Sequence, residues 1–208
     1  MIVFCWLYAI VAILVRVKLG SPVIFKQARP GKDGKIFILY KFRTMTDARD
    51  ENGNLLPDEV RLTKFGRWLR DTSLDELPET ANILKGDMSL IGPRPQLVRD
   101  MVFMTLEQRQ RHSVRPGLSG LAQVNGRNCL EWEDKFRYDL EYIDRISFIE
   151  DFKIACKTVV KAIKRENITY EGMATAEDFG DYLLRTGKID REQYELGQAK
   201  SRELLSMN

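Results

Sequence analysis

The sequence predicts a mostly helical α+β protein with an N-terminal membrane-inserted helix, one small β-hairpin, and amphipathic helices around a site built from loops. Three observations lead there. An uncharged run from Met1 to Val15 gives way abruptly to Arg16 and Lys18. Two short apolar stretches, at 23–25 and 35–42, flank the turn-forming Arg29-Pro30-Gly31-Lys32-Asp33-Gly34. From residue 60 to 164, apolar residues recur at spacings of three and four between segments rich in Gly and Pro.

Composition narrows the function classes. With 208 residues and 44% hydrophobic content the chain can bury the core of one domain. Its 33 Lys and Arg against 30 Asp and Glu leave a net charge of only +3. Any basic work is therefore local, and nucleic acid is not an expected partner. Cys5, Cys129 and Cys156 are odd in number, widely spaced and without a CxxC pair, which argues against a disulfide framework or a zinc site. The single histidine, His112, lies in the polar stretch Glu107-Gln108-Arg109-Gln110-Arg111-His112 and reads as an exposed helical residue.

Residues 1–20 form the first unit, a membrane-associated helix. Fifteen helical residues reach about 22 Å, short of the roughly 30 Å hydrocarbon core, so a complete crossing is not expected. A secretory signal fits poorly because the basic residues follow the apolar run. A buried core helix and a helix entering one leaflet both remain, and Phe4, Trp6, Tyr8 and the basic flank favour the second. Positive charge on the C-terminal side would hold the body of the protein in the cytoplasm, which suits unpaired cysteines.

Residues 21–176 read as a catalytic domain. Gly20-Ser21-Pro22 breaks the helix, and the hairpin ends at Lys41-Phe42-Arg43-Thr44-Met45. Residues 47–58 are a loop. Residues 60–69 predict one basic amphipathic helix with Leu62, Phe65 and Leu69 on a single side, suited equally to an anionic membrane or to covering the core. The spacing of Leu74, Leu77, Ala81 and Leu84 predicts a helix over 74–84, capped by Asp71-Thr72-Ser73, with Asp75 and Glu76 in its first turn.

An acidic pair at a helix start has an ordinary explanation, since the macrodipole stabilises it by about 0.3 to 1 kcal/mol. The surroundings point further. Arg67 and Arg70 precede the pair, Lys85 and Arg94 follow it, and Gly92-Pro93-Arg94-Pro95 is a stiff loop that fixes a guanidinium suited to phosphate. Residues 96–111 read as helix. The loop from Arg115 to Asn128 carries Gly117, Gly120 and Gly126, either to let its backbone approach a ligand or as a plain surface loop. Residues 151–164 predict a basic amphipathic helix bearing Lys153, Lys157, Lys161 and Lys164, for a membrane surface or simply for solvent. Residues 177–208 read as a polar helical C-terminal tail of short helices peripheral to the site.

The motifs Phe25-Lys26-Gln27-Ala28-Arg29-Pro30-Gly31, Lys41-Phe42-Arg43-Thr44-Met45, Ser73-Leu74-Asp75-Glu76-Leu77-Pro78, Lys85-Gly86-Asp87-Met88-Ser89, Gly92-Pro93-Arg94-Pro95 and Arg115-Pro116-Gly117 through Asn125-Gly126-Arg127 follow one another in this order. The set resembles the bacterial sugar transferase family, the monotopic phosphoglycosyl transferases, and above all its small single-domain members. The resemblance implies transfer of a sugar-1-phosphate from a UDP-sugar to polyprenyl (undecaprenyl) phosphate. It places the protein among membrane lipids on the cytoplasmic face of the bacterial inner membrane. It implies Asp75 as the nucleophile of a covalent aspartyl phosphosugar and Glu76 as its partner holding Mg²⁺. Lys41, Arg70, Pro93, Arg94, Pro95, Gly126, Arg127 and Asp151 would then bind substrate. A carboxylate suits the role because it is anionic at neutral pH without an auxiliary base, and an anionic target calls for the cations nearby.

In the family the membrane helix bends at a Ser-Pro pair, and the corresponding place here is Cys5-Trp6, so a shortened or altered re-entrant helix is expected. Closeness to the small members tilts the sugar towards an N-acetylated amino sugar. An inactive membrane-anchored scaffold and a soluble nucleotide-sugar hydrolase are the competing readings.

Overall fold

Helix α1 (Cys5–Leu19) opens the computed structural model, which describes residues 5–126, 130–164 and 177–207. It stops where Gly20 turns to φ 85° and returns its N–H to the Arg16 carbonyl at 3.2 Å. This helix is not buried all round. Val11, Val15 and Leu19 are buried against Phe42 and Leu69, while Trp6, Ile10, Ile13 and Val17 are exposed. Among the described residues no helix is long and apolar enough to cross a membrane. The expected bend at Cys5-Trp6 falls at the edge of the described residues. Of the cysteine side chains described, Cys156 is a free, exposed thiol.

The hairpin forms as its turn chemistry predicts. Strands β1 (Ile24–Pro30) and β2 (Ile36–Phe42) pair antiparallel, with Ile24 opposite Phe42 and Pro30 opposite Ile36. Between them Asp33 adopts φ 57°, a conformation that Asp tolerates better than most residues.

The single helix expected over 60–69 is two. Helix α2 (Asp58–Arg61) ends at Leu62, whose backbone is extended and bridges Met45. Thr63 then caps α3 (Lys64–Asp71), its hydroxyl accepting the Gly66 N–H at 3.0 Å. A cap and a strand-like bridge thus override the apolar periodicity. Leu69 is fully buried, so α3 covers the core.

The helix expected over 74–84 is also split. Leu74, Asp75 and Glu76 form a separate 3₁₀ turn after Ser73, which sits at φ 55°. Helix α4 (Glu79–Lys85) begins beyond Pro78, whose ring cannot follow a carbonyl four residues back in a continuous helix. The predicted caps are unused: the Thr72 hydroxyl donates backwards to Trp68 and Leu69, and Ser73 makes no capping bond.

Residues 96–111 are likewise fragmented. Strand β3 (Ser89–Ile91) precedes α5 (Val98–Met101), α6 (Leu106–Arg109) and a 3₁₀ turn at 110–112. Strand β4 (Gly117–Ser119) then pairs parallel with β3, and α7 (Leu121–Asn125) follows. Helices α8 (Trp132–Asp144), α9 (Phe148–Lys164), α10 (Phe179–Arg185) and α11 (Arg191–Ser206) complete the described chain. The C-terminal part is more than a fringe of short helices. Helix α11 has 16 residues, and Phe179 and Leu183 of α10 join Met104, Trp132 and Phe136 in a buried cluster.

Two glycines of the 115–128 loop, Gly117 and Gly120, serve the crossing of two backbones, while Gly126 faces the Leu130 side chain. Gly92 N–H donates to Ser119 O at 2.8 Å and Gly117 N–H to Pro93 O at 3.0 Å. A methyl group at Gly117 would lie 2.1 Å from Gly92 N, and one at Gly120 would lie 2.2 Å from Gly92 O. Backbone has nowhere to retreat. Gly117→Ala is accordingly expected to destabilise the protein by about 1–3 kcal/mol, seen as a lower urea midpoint with an unchanged slope.

Candidate active site

Asn82 fixes where the site lies. It is fully buried, and its side chain accepts the Tyr40 N–H at 3.1 Å and donates to Ile38 O at 2.7 Å, docking α4 against β2. Its side-chain amide also reaches Asp87 Oδ2 at 3.2 Å, and its backbone carbonyl accepts the Asp87 N–H. This docking holds Lys41, near the end of β2, beside the acidic turn.

Two cations from distant parts of the chain meet on one oxygen. Lys41 Nζ and Arg94 Nη2 both donate to Glu76 Oε1, each at 2.8 Å. Lys41 Nζ also lies 3.1 Å from Glu79 Oε1, an ion-pair distance.

Arg94 is held from behind. Arg111 Nη2 donates to the Arg94 carbonyl at 2.7 Å, and Arg111 itself forms a two-pronged pair with Asp139 Oδ2 at 2.9 and 2.7 Å, both side chains buried. Arg29 Nη1 donates to Pro95 O at 3.0 Å while Gln27 Oε1 steadies the same guanidinium. Pro93 contributes its carbonyl to Gly117. The two prolines thus stiffen and anchor the arginine's loop.

The neighbouring carboxyls are driven apart electrically. Burial, then the charge of Glu76, pushes Asp75 up to about 6 against the pull of Lys41, Arg70 and Arg94. Burial also opposes ionisation of Glu76, but Lys41 and Arg94 together outweigh it and hold that carboxyl well below its usual range. Burial raises Glu79 as well. The Glu76 carboxylate in turn raises Arg94. Arg70, lowered by burial, donates from Nε to Thr44 Oγ1 at 3.1 Å and feels the charge of Asp75. Two adjacent carboxyls with opposite proton affinities can do different jobs.

Asp75, Glu76, Lys41, Arg70 and Arg94 are therefore gathered in one place. Asp151 is engaged elsewhere, its Oδ1 accepting the Tyr142 hydroxyl at 2.7 Å. Gly126 is buried behind Leu130, and Arg127 lies outside the described residues. Two clefts of about 360 and 460 Å³ open elsewhere, one beside Val124 and Cys156, the other beside Phe136 and Leu140, and none of the five lines either.

His112 is buried, not exposed. Burial first, then Arg111 and Arg109, lower it to about 3, so it is neutral, and its Nε2 has no hydrogen-bond partner among the described residues. The polarity of its neighbours misled because Arg111 turns inward to Asp139. Glu79, Asn82, Arg29, Arg111 and Asp139 were not singled out from the sequence. For Asn82 a signal existed, a polar residue beside the apolar stripe at Ala81. For Arg111 and Asp139, 28 positions apart, no local pattern exists.

Because folding lifts the Asp75 carboxyl above its unfolded value, the native state holds that proton more tightly, and stability falls as pH rises from about 4 through about 6. In metal-free buffer at pH 7.5, Asp75→Asn is expected to raise stability by about 1–3 kcal/mol, with the gain vanishing near pH 4 in thermal melts.

Comparison with known proteins meets this geometry from another side. Residues 1–165 match the family described as bacterial sugar transferase. The chain is 57% identical over 166 residues to the sugar transferase EpsL of Bacillus subtilis, covering 80% of this chain and 82% of that protein. It is 42% identical over 162 residues to a UDP-glucose:undecaprenyl-phosphate glucose-1-phosphate transferase of Klebsiella pneumoniae, covering 73% of this chain but 35% of that protein. It is 38% identical over 160 residues to a UDP-N-acetylgalactosamine-undecaprenyl-phosphate N-acetylgalactosaminephosphotransferase of Aeromonas hydrophila, covering 71% and 37%. The matched region contains the acidic turn, both cations that meet on Glu76 and the crossed glycine loops, and by it the chain belongs to the bacterial sugar transferase family.

Proposed function

We propose that the protein is a phosphoglycosyl transferase that moves a sugar-1-phosphate from a UDP-sugar to undecaprenyl phosphate. The single observation that carries the reading is the pairing of a buried Asp75 with a cation-locked Glu76, in a chain whose relatives bear names of this activity. The donors in those names are UDP-glucose and UDP-N-acetylgalactosamine, so they do not single out an N-acetylated sugar.

In the first half-reaction an Asp75 carboxylate oxygen attacks the phosphorus attached to the sugar. The bond from that phosphorus to the bridging oxygen breaks and UMP leaves with the electron pair. In the second, an oxygen of undecaprenyl phosphate attacks the same phosphorus and frees the Asp75 carboxylate. Burial favours this nucleophile, since a carboxylate stripped of water is more reactive, while Lys41, Arg70 and Arg94 offset the repulsion between two anions. Arg94 and Lys41 already converge on Glu76, and their charge is the reserve that an entering diphosphate can draw upon.

Mg²⁺ fits this donor set sparingly. Among the described residues no three His, Cys, Asp or Glu side chains form a ready cage. Mg²⁺ is commonly held by one or two carboxylates completed by substrate phosphates and water, and Glu76, whose two cationic partners both take Oε1, is the residue that would hold it. Bound there, the ion supplies positive charge to the diphosphate oxygens.

Two apolar surfaces support placement at a membrane. Helix α1 exposes Trp6, Ile10, Ile13 and Val17, and α9 exposes Phe148, Ile149 and Phe152 next to Lys153 and Lys157. Aromatic groups flanked by lysines suit the headgroup layer of an anionic bilayer. On this reading the protein is monotopic and sits on the cytoplasmic face of the inner membrane.

The reading is tested by incubating membrane and soluble fractions with a panel of UDP-sugars, with and without undecaprenyl phosphate, and measuring UMP. Asp75→Asn is expected to lower UMP release by at least about a thousandfold and to yield no phosphosugar adduct in intact-mass spectra; near-normal release from that variant would sink the mechanism. Chelation by EDTA is expected to stop turnover and added Mg²⁺ to restore it, whereas full activity in EDTA removes Glu76 as a metal ligand.

A further inference from the structure

Helices α10 and α11 lie beyond the region that matches the family, which ends at residue 165. They nonetheless grip the segment that carries Arg94, at four points. The Asp100 carboxyl, almost fully buried, accepts the Leu97 N–H at 3.0 Å on one oxygen and the Phe179 N–H at 2.9 Å on the other, tying the start of α5 to the start of α10. Arg99 Nη2 meets Asp178 Oδ2 at 2.6 Å.

The third grip is steric. The Phe103 ring, just past α5, sits in a slot left by two glycines: a methyl group at Gly180 would lie 2.6 Å from it and one at Gly197 only 2.3 Å. Tyr194 of α11 stacks on the same ring at 6.0 Å and 15°. The fourth runs through the core. Phe179 packs edge-on against Phe136 at 5.0 Å, the Arg111 guanidinium lies 6.0 Å from the Phe136 ring, and Arg111 holds the Arg94 carbonyl.

We infer that α10 and α11 are a positioning clamp, seated on Phe103 and Asp100, that sets the 93–97 loop so that the Arg94 guanidinium reaches Glu76. The kinetic consequence rests on the transfer reading above; the mechanical statement does not. Phe103, Gly180 and Gly197 are positioning residues and touch no reacting atom.

Gly197→Ala is the informative change. Alanine is the better helix former, so propensity alone strengthens α11 and any loss comes from the collision with Phe103. Amide hydrogen exchange and UMP release are measured on the full chain for the wild type, Gly197→Ala, and Gly197→Ala combined with Phe103→Leu, which makes room. The single variant is expected to speed exchange at Leu97 about tenfold while the β1–β2 amides keep their protection. Its kcat is expected to fall about tenfold with little change in KM for the UDP-sugar. The double variant is expected to recover both. Unchanged Leu97 exchange and kcat in Gly197→Ala would overturn the clamp. So would a loss of protection spread evenly into the hairpin, which marks a merely stabilising role. If the wild type releases no UMP from any donor, yet Leu97 exchange rises in the single variant and returns in the double, the transfer reading fails and the clamp stands.

Discussion

One carboxylate oxygen, Glu76 Oε1, receives hydrogen bonds from Lys41 and Arg94, and the rest of the structure is arranged to make that meeting possible. Lys41 arrives on a strand, Arg94 on a proline-bounded loop, and Glu76 on a 3₁₀ turn; none of these elements is rigid alone. The strand is fixed by the hairpin and by Asn82, the loop by Arg29, Arg111 and the crossed glycines, and the turn by Pro78 and the α4 helix behind it. Concentrating two cations on Glu76 also leaves its neighbour Asp75 with less compensation, which is why burial prevails there and the two carboxyls differ so widely in proton affinity.

The supporting ion pairs are of a kind that stabilises little and specifies much. Arg111 and Asp139 lose nearly all their hydration, a cost comparable to the attraction they gain. What the pair provides is direction: with Nε and Nη2 both fixed on the Asp139 carboxylate, Nη2 also donates to a single carbonyl, that of Arg94. Arg29, anchored by the neutral Gln27 amide oxygen instead of a carboxylate, is likewise aimed at the Pro95 carbonyl. Both arginines are used as struts, and neither is free to meet solvent anions.

Much of the fold could be read from local chemistry, and the limits have physical causes. The hairpin was legible because Pro30-Gly31 and Asp33-Gly34 specify a turn whatever surrounds it. The acidic turn and its cations were legible as a cluster, since Asp75, Glu76, Arg70 and Arg94 lie within 25 positions of one another. Helix lengths were not: apolar spacing ran on through Leu62 and Leu77, while Thr63 and Pro78 cut the helices there. Buried charge was the main blind spot. Arg111, Asp139, Asp100 and Glu79 look like surface residues in sequence, and each meets a partner from far along the chain that no local pattern reveals. Gly117 and Gly120 of the 115–128 loop were noticed for a good reason, close approach, but what approaches them is another stretch of the same backbone.

The bond between the Phe179 amide and Asp100 spans 79 positions. A chain made from its N-terminus carries the hairpin, the acidic turn and the arginine loop out of the ribosome long before residue 179 exists. Until then Asp100 has only the Leu97 amide to satisfy a carboxyl destined for burial, and the Phe103 ring has no slot to occupy. With the clamp inferred above, the segment around Arg94 gains its last supports only once residues 178–197 have been made, so that the loop is completed by residues roughly eighty to a hundred positions after it.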